Sequence, residues 1–437
     1  MFNIVDLRND NNQVAANNLY NKLIQRTKSS DGASIMSVVA DILENVRKLG
    51  DKALKDYSKR FDKADIEEIK VSEAEITAAY AEVDAELLET IKKSKQNIWN
   101  FHEKQLQNSW ISPNEDGSML GQLVRPIEKA GLYVPGGTAP LISSVLMTAI
   151  PAKVAGVSKI IMCTPPSKDG SVNPAILVAA REAGVDEVYR VGGAQAIAAM
   201  AYGTETIPKV DKICGPGNVY VATAKRLIFG ECDIDMFAGP SEILVIADST
   251  AKPEYVAADL LSQAEHDMLA SSVLITDDES LVKKVAVQIE KQLANLSRKS
   301  IIEKSLEDYG FAVLVDNIEQ AIEVSNNIAP EHLEICINEP MSMLGLIKNA
   351  GAIFVGNYSP EPLGDYMAGP SHVLPTSGTA RFSSPVNVDQ FLKKSSLIYY
   401  NRQALEKTYK DIARFAEAEL LDAHANAVKV RFEGENK

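Results

Sequence analysis

The alternation that begins after Gln122 constrains this chain more than any other feature. Short β-branched runs, Lys159–Cys163 (KIIMC), Glu187–Val191 (EVYRV) and Asp211–Cys214 (DKIC), alternate with helical patterns near Ser143–Ala155, Pro174–Ala183, Ala194–Ala201 and Asn218–Phe229. A second series follows: Glu242–Ala247 (EILVIA), Ser272–Thr276 (SVLIT), Ala312–Val315 (AVLV), Leu333–Ile337 (LEICI) and Ala352–Val355 (AIFV). Strands separated by helix-length segments pair in parallel, because the helix carries the chain back to the edge where the strand began. The expected fold class is α/β, with two doubly wound, incomplete Rossmann-like α/β/α units and helical N- and C-terminal extensions. The expected boundaries are 1–26 for the N-terminal extension, 27–130 plus 243–386 for the main α/β domain, 131–242 for an inserted α/β domain, and 387–437 for a C-terminal helical arm.

The flanks read as helical. From Ser34 to Tyr57 apolar residues recur at helical spacing (Ile35, Val38, Val39, Ile42, Val46, Leu49), which predicts an amphipathic helix followed by a second. Glu73 to Leu106 reads as one longer, strongly charged helix carrying His102 as a packed or surface residue with no chemical role. The chain is helical again from Gln403 to about His424. That arm has no α/β partner of its own, so it must pack on something else, and a neighbouring subunit is one candidate.

At 437 residues the chain can hold more than one core, since single cores stop growing near roughly 250–300 residues. A formal charge of −14 works against a nucleic-acid or anionic-membrane partner. It leaves room for a phosphate-bearing cofactor held by backbone amides. The opening MFNIVDLRNDNN lacks the basic and apolar regions of a signal peptide, and no apolar run is long enough to span a bilayer, so a cytoplasmic protein is expected. Four dispersed cysteines (Cys163, Cys214, Cys232, Cys336) fit a reducing compartment and read as buried structural thiols.

Three glycine turns stand before predicted helices: Val134-Pro135-Gly136-Gly137, Val191-Gly192-Gly193-Ala194-Gln195 and Cys214-Gly215-Pro216-Gly217-Asn218. Glycine lets backbone approach a ligand, and the exposed N–H groups favour anions. None is the GxGxxG fingerprint, and each by itself is also ordinary strand-to-helix turn chemistry. Expected together at one sheet edge, they point to a ligand cleft.

Of five histidines, four sit in conspicuous surroundings. In DLLSQAEHDML, Gln263 and His266 are three apart and would share a helix face. Glu331-His332 lies at a strand's edge in APEHLEI, Asp365 and His372 lie in the proline- and glycine-rich loop Tyr358–Pro385, and Glu419 precedes His424. Imidazole, carboxylate and amide oxygen suit a borderline ion such as zinc, although the spacing is neither HExxH nor a zinc finger. Each histidine alone is more readily read as a hydrogen-bonded packed or surface residue. Glu331-His332 offers two titratable groups for acid/base work, or a plain strand-entry pair.

The chain resembles the histidinol dehydrogenase family from end to end. The motifs are GDKALKDYSKRFD, GLYVPGG, VGGAQAIAA, CGPGNVYVATAK, GPSEILVIAD, DLLSQAEHD, APEHLEI, GDYMAGPSHVLPTSGTARF and AHANAVKVR. The resemblance implies an NAD-dependent oxidoreductase taking L-histidinol to L-histidine through the aldehyde. It implies one zinc per subunit held by Gln263, His266, Asp365 and His424, and acid/base work by Glu331 and His332. Ser241, His372 and Glu419 would contact substrate, together with His332 and the zinc ligands, while Tyr133, Gln195 and Asn218 would contact NAD. It further implies an intertwined homodimer in which Glu419 and His424 reach the partner's site. Two positions depart from the family pattern: Glu419-Leu420-Leu421 replaces a common Glu-Gly-Leu, and Leu141-Ile142 replaces a common Tyr-Pro. Three other readings stay open: a related zinc- and NAD-dependent dehydrogenase of another small polar alcohol, a zinc hydrolase, and a non-catalytic metal-binding protein.

Overall fold

Parallel strands covered on both faces need apolar side chains on both, and the runs identified above supply them. In the computed structural model of the protein, described for residues 2–8, 13–26, 32–136, 140–237 and 239–432, the strands in chain order are β1 (Asn3–Asp6), β2 (Trp110–Pro113), β3 (Met119–Pro126), β4 (Lys129–Tyr133), β5 (Lys159–Thr164), β6 (Glu187–Arg190) and β7 (Lys212–Cys214). They continue as β8 (Asp233–Ile234), β9 (Glu242–Ala247), β10 (Ser271–Thr276), β11 (Gly310–Leu314), β12 (His332–Cys336), β13 (Ala352–Val355) and β14 (Leu392–Tyr399). The chain divides into two units, Met1–Gln105 with Ile127–Phe391, and Leu106–Pro126 with Leu392–Lys437.

The first unit holds two all-parallel sheets, which bears out the α/β class. One has the order β1-β11-β10-β9-β12-β13, the other β6-β5-β4-β7-β8. In the six-stranded sheet the chain steps from β9 outward to β11, then returns to lay β12 on the other flank of β9. In the five-stranded sheet it steps from β4 to β6 and returns to lay β7 beside β4. Each sheet therefore has a switch point where its winding reverses, between β9 and β12 and between β4 and β7. Helices cover both faces. Pro253–Ala264 packs Val256, Leu260 and Leu261 on one side of the six-stranded sheet, and Ile318–Ile328 packs Ile322 and Ile328 on the other. Helix Gly193–Tyr202 is buried along most of its length against the five-stranded sheet.

The second unit is an antiparallel sheet, β14-β3-β2, and the helices Arg402–Ala418 and Asp422–Lys429. This sheet and the edge strand β1 carry no signal of the kind that marked the parallel strands. The segment expected as one helix from Glu73 to Leu106 is two, Glu73–Ala79 and Ala85–His102, followed by a single 3-10 turn. The second start comes from Asp84, whose carboxylate accepts the N–H groups of Glu86 and Leu87 and so nucleates a new N-terminus. The C-terminal arm is likewise broken, at Leu420, whose φ of 60° is left-handed. Tyr358–Pro385 is not structureless, since it contains the helix Glu361–Tyr366 and a 3-10 turn at Thr379–Arg381. His102 is buried with Nδ1 2.9 Å from the Ile98 carbonyl oxygen, and all four cysteines are buried. Among the described residues no helix is long and apolar enough to cross a membrane.

Candidate active site

At the switch point of the six-stranded sheet, the amino ends of β9 and β12 bring two acids face to face. Ser241 precedes β9 and Glu242 opens it, while Glu331 precedes β12 and His332 opens that strand, level with Ile243. The Glu242 N–H donates to Glu331 Oε2 at 2.8 Å, and the Glu331 N–H donates to Glu242 Oε2 at 3.2 Å. Each carboxyl thus ties down the other's backbone. His332 Nδ1 lies 2.8 Å from the Glu242 carbonyl oxygen. A carbonyl can only accept, so Nδ1 carries the hydrogen and Nε2 is left with the free lone pair. Burial lowers the His332 pKa to about 4, which keeps the ring neutral and basic at Nε2 near neutral pH. Burial and then the Glu242 charge push Glu331 well above the usual carboxylate range.

Nε2 of His332 points at a third acid, 3.7 Å from Glu361 Oε1. His332, Glu361 and Asp365 each offer a donor atom, all within 4.8 Å of one another. Burial and the Asp365 charge push Glu361 up to about 9. Burial would raise Asp365 too, but His372 at 3.3 Å, together with His332 and His266, outweighs it and holds Asp365 at about 2. Glu361 therefore carries the proton and Asp365 the charge. His372 spans the cleft, with Nδ1 3.3 Å from Asp365 and Nε2 3.2 Å from the Ser144 hydroxyl.

The helix Pro253–Ala264 ends against the same acids, with the Ser262 hydroxyl 3.5 Å from Glu361. Gln263 near its end is 1% exposed, and its Oε1 has no hydrogen-bond partner among the described residues. A buried amide oxygen left unpaired is costly unless a ligand completes it. His266 does not share the helix face with Gln263 as expected, because the helix stops at Ala264 and His266 sits exposed in the following turn. It is still near enough for its charge to lower Asp365. An amide oxygen, carboxylates and imidazoles together make a donor set that fits zinc. Glu361 was not among the residues singled out from the sequence. The only sequence signal for it is the i,i+4 spacing of Glu361 and Asp365 in EPLGDY, which a loop reading hides.

The glycine turns lie at the carboxyl ends of β4, β6 and β7, on the side of an open sheet where ligands bind. Gly137 lies outside the described residues. Tyr133 ends β4, is 4% exposed, and accepts the Gly193 N–H on its hydroxyl at 3.0 Å, so one side chain links two of the turns. Burial raises its hydroxyl to about 12. Gln195 is buried in the first turn of Gly193–Tyr202. Asn218 is exposed and caps Val219–Ile228 through the N–H groups of Tyr220 and Val221. Gly215, at φ 125°, sits so close that a Cβ would run into the Tyr133 carbonyl oxygen. A buried ion pair fixes this turn: Lys225 Nζ bonds Asp235 and, at 3.0 Å, the Gly215 carbonyl oxygen, and Asp235 Oδ2 accepts the Gly215 N–H at 2.7 Å.

Glu419 and His424 belong to the second unit, where both are exposed. Glu419 ends the helix Arg402–Ala418, and His424 lies on Asp422–Lys429. Leu420 between them holds the left-handed position closing the first helix, with Leu421 N–H returning to the Ala416 carbonyl. That conformation gives a physical reason for glycine in related sequences.

A family model described as histidinol dehydrogenase matches residues 25–432. The chain is 56% identical to the histidinol dehydrogenase of Clostridium acetobutylicum over 413 residues, covering 94% of this chain and 96% of that one. It is 54% identical to that of Bacillus subtilis over 393 residues, covering 90% and 92%. A crystal structure of histidinol dehydrogenase from Elizabethkingia anophelis superposes with a TM-score of 0.92 at 43% identity, covering 100% of this chain and 99% of that one.

Proposed function

We propose, because this chain belongs to the histidinol dehydrogenase family, that it oxidises L-histidinol to L-histidine through L-histidinal, in two NAD-linked steps at a zinc site. The observation that carries the reading is the buried, neutral His332, whose Nδ1–H is held by the Glu242 carbonyl while Nε2 faces the acidic donor cluster. A base aimed in this way can take a proton from an alcohol held at the cluster. Gln263, His266, Asp365 and His424 of a partner subunit would hold the zinc, with Glu361 close at hand. Zinc, when bound, supplies Lewis-acid positioning of the substrate, and NAD supplies the hydride acceptor.

The remaining work falls to side chains. In the first step His332 Nε2 accepts the hydroxyl proton as the carbinol carbon gives up hydride. In the second, Glu331 takes a proton from the water that adds to the aldehyde, and its raised proton affinity makes it the stronger base once ionised. The hydrate then loses a second hydride. A thiohemiacetal route needs an accessible thiolate, and the four thiols are buried; burial pushes Cys232 up to about 12 and raises Cys163, Cys214 and Cys336 as well. Ser241, His372 and Glu419 contact the polar ends of the substrate. Tyr133, Gln195 and Asn218 contact NAD at the glycine turns, which makes 131–242 the cofactor domain.

The exposed Glu419 and His424 fit a homodimer with shared active sites, and a cytoplasmic setting fits the reduced cysteines. NADH absorbance with L-histidinol tests the reading: NADH forms, stops after chelation, and resumes on adding zinc. Turnover of a substrate without NAD would replace this reading with hydrolysis.

A further inference from the structure

Glu242 sits behind both catalytic residues, yet it is itself a buried carboxylate and needs a cation. Arg26, at the end of the helix Gln13–Gln25, supplies it: Nη2 lies 2.5 Å from Glu242 Oε1, and the two side chains are 1% and 6% exposed. The same Nη2 donates to the Pro240 carbonyl at 3.0 Å, and Nη1 donates to the Leu23 carbonyl at 2.9 Å. Glu242 Oε1 also accepts the Ser377 N–H at 2.7 Å, while Oε2 accepts the Glu331 N–H. Glu242, held by this guanidinium, therefore fastens three segments at the amino edge of the sheet: Pro240–Glu242 with Ser241, Glu331-His332, and the loop at Ser377.

We propose that Arg26 is a positioning residue for the Glu331–His332 pair, acting through Glu242. His332 is aimed by a bond to the Glu242 carbonyl oxygen, and Glu331 by the exchanged backbone bonds, so whatever fixes Glu242 fixes both. Without the cation, Glu242 is a buried anion beside a second carboxyl, and the tie to Pro240 is lost with it. A lysine could keep the charge but not the fork that reaches Pro240, Glu242 and Leu23 together. The residue lies far in sequence from every chemical motif, and only the fold brings it there.

The inference rests on the proposed dehydrogenase reading, and the experiment separates the two. Full-length, zinc-loaded wild type, Arg26→Met and Arg26→Lys are assayed with L-histidinol and NAD. Misplacing reacting groups by about 1 Å costs on the order of 100-fold, so Arg26→Met is expected to lower kcat by about that factor with KM for NAD within about twofold. Zinc content stays at the wild-type level, and Arg26→Lys recovers about tenfold of the loss. A folded Arg26→Met enzyme with wild-type kcat overturns the proposal. So does a parallel loss of kcat, NAD affinity and zinc, which marks general loosening. Should Arg26→Met fail to fold, Arg26→Lys decides: reduced kcat at unchanged KM for NAD supports the role, and wild-type kcat refutes it. Wild type that makes no NADH from histidinol refutes the dehydrogenase reading instead.

Discussion

The two parallel sheets place their chemistry at opposite edges. In the five-stranded sheet the candidate cofactor turns are at the carboxyl ends of β4, β6 and β7; in the six-stranded sheet the candidate acid/base pair is at the amino ends of β9 and β12. The electrostatics differ in the same sense. The first edge is built from backbone and glycine, and Lys225, buried there, is matched by Asp235. The second crowds Glu242, Glu331, Glu361 and Asp365 together, with Gln263 Oε1 unpaired. An edge of backbone and glycine suits a ligand that must arrive and leave. An unsatisfied one is poised to bind and to move protons.

Breaking the unsatisfied edge should give the largest effect. Glu331→Gln is expected to slow oxidation of L-histidinal by about 10²–10⁴-fold while the alcohol step falls far less, so that aldehyde accumulates in a trapping assay. An equal loss in both steps would show that Glu331 serves the site as a whole. On the glycine edge, Lys225→Met strands Asp235 as a buried anion and should cost about 3–5 kcal/mol of stability in denaturant titration. Among molecules still folded, KM for NAD should rise while zinc binding holds. The smallest effect comes from a buried acid whose charge is felt by Tyr133 on the glycine edge. Asp62, at the end of the π-helical turn Ser58–Asp62, has a buried unpaired Oδ2, and burial raises it to about 6. Its folded pKa exceeds its unfolded one, so the native state binds the extra proton and wild-type stability falls as pH climbs from about 4 through about 6. Asp62→Asn should therefore raise Tm relative to wild type at about pH 8 and not at about pH 4.

What could be read from the sequence follows burial. The run Glu242–Ala247 is a strand with the same bounds in the fold, because a parallel strand in the interior of a sheet leaves few choices of side chain; Ala352–Val355 keeps its bounds as an edge strand because its run is still β-branched and apolar. The four-residue β1 sits at a sheet edge, and β14 has exposed residues along most of its length, so neither shows the continuous apolar run or clean alternation that marks a strand. Ser72 with Glu75 marks the start of the long helix, and Asp84 is the cap residue that could have divided it. The Glu331-His332 pair stood out because its members are adjacent. Glu242, Glu361 and Arg26 did not, because each meets that pair only through the return of the chain across the sheet.

The central claim is a two-step oxidation by one site, and the NADH yield per L-histidinol tests it most directly. With limiting L-histidinol and excess NAD, two NADH and one L-histidine are expected for each substrate consumed. One NADH with L-histidinal as the final product would contradict the account.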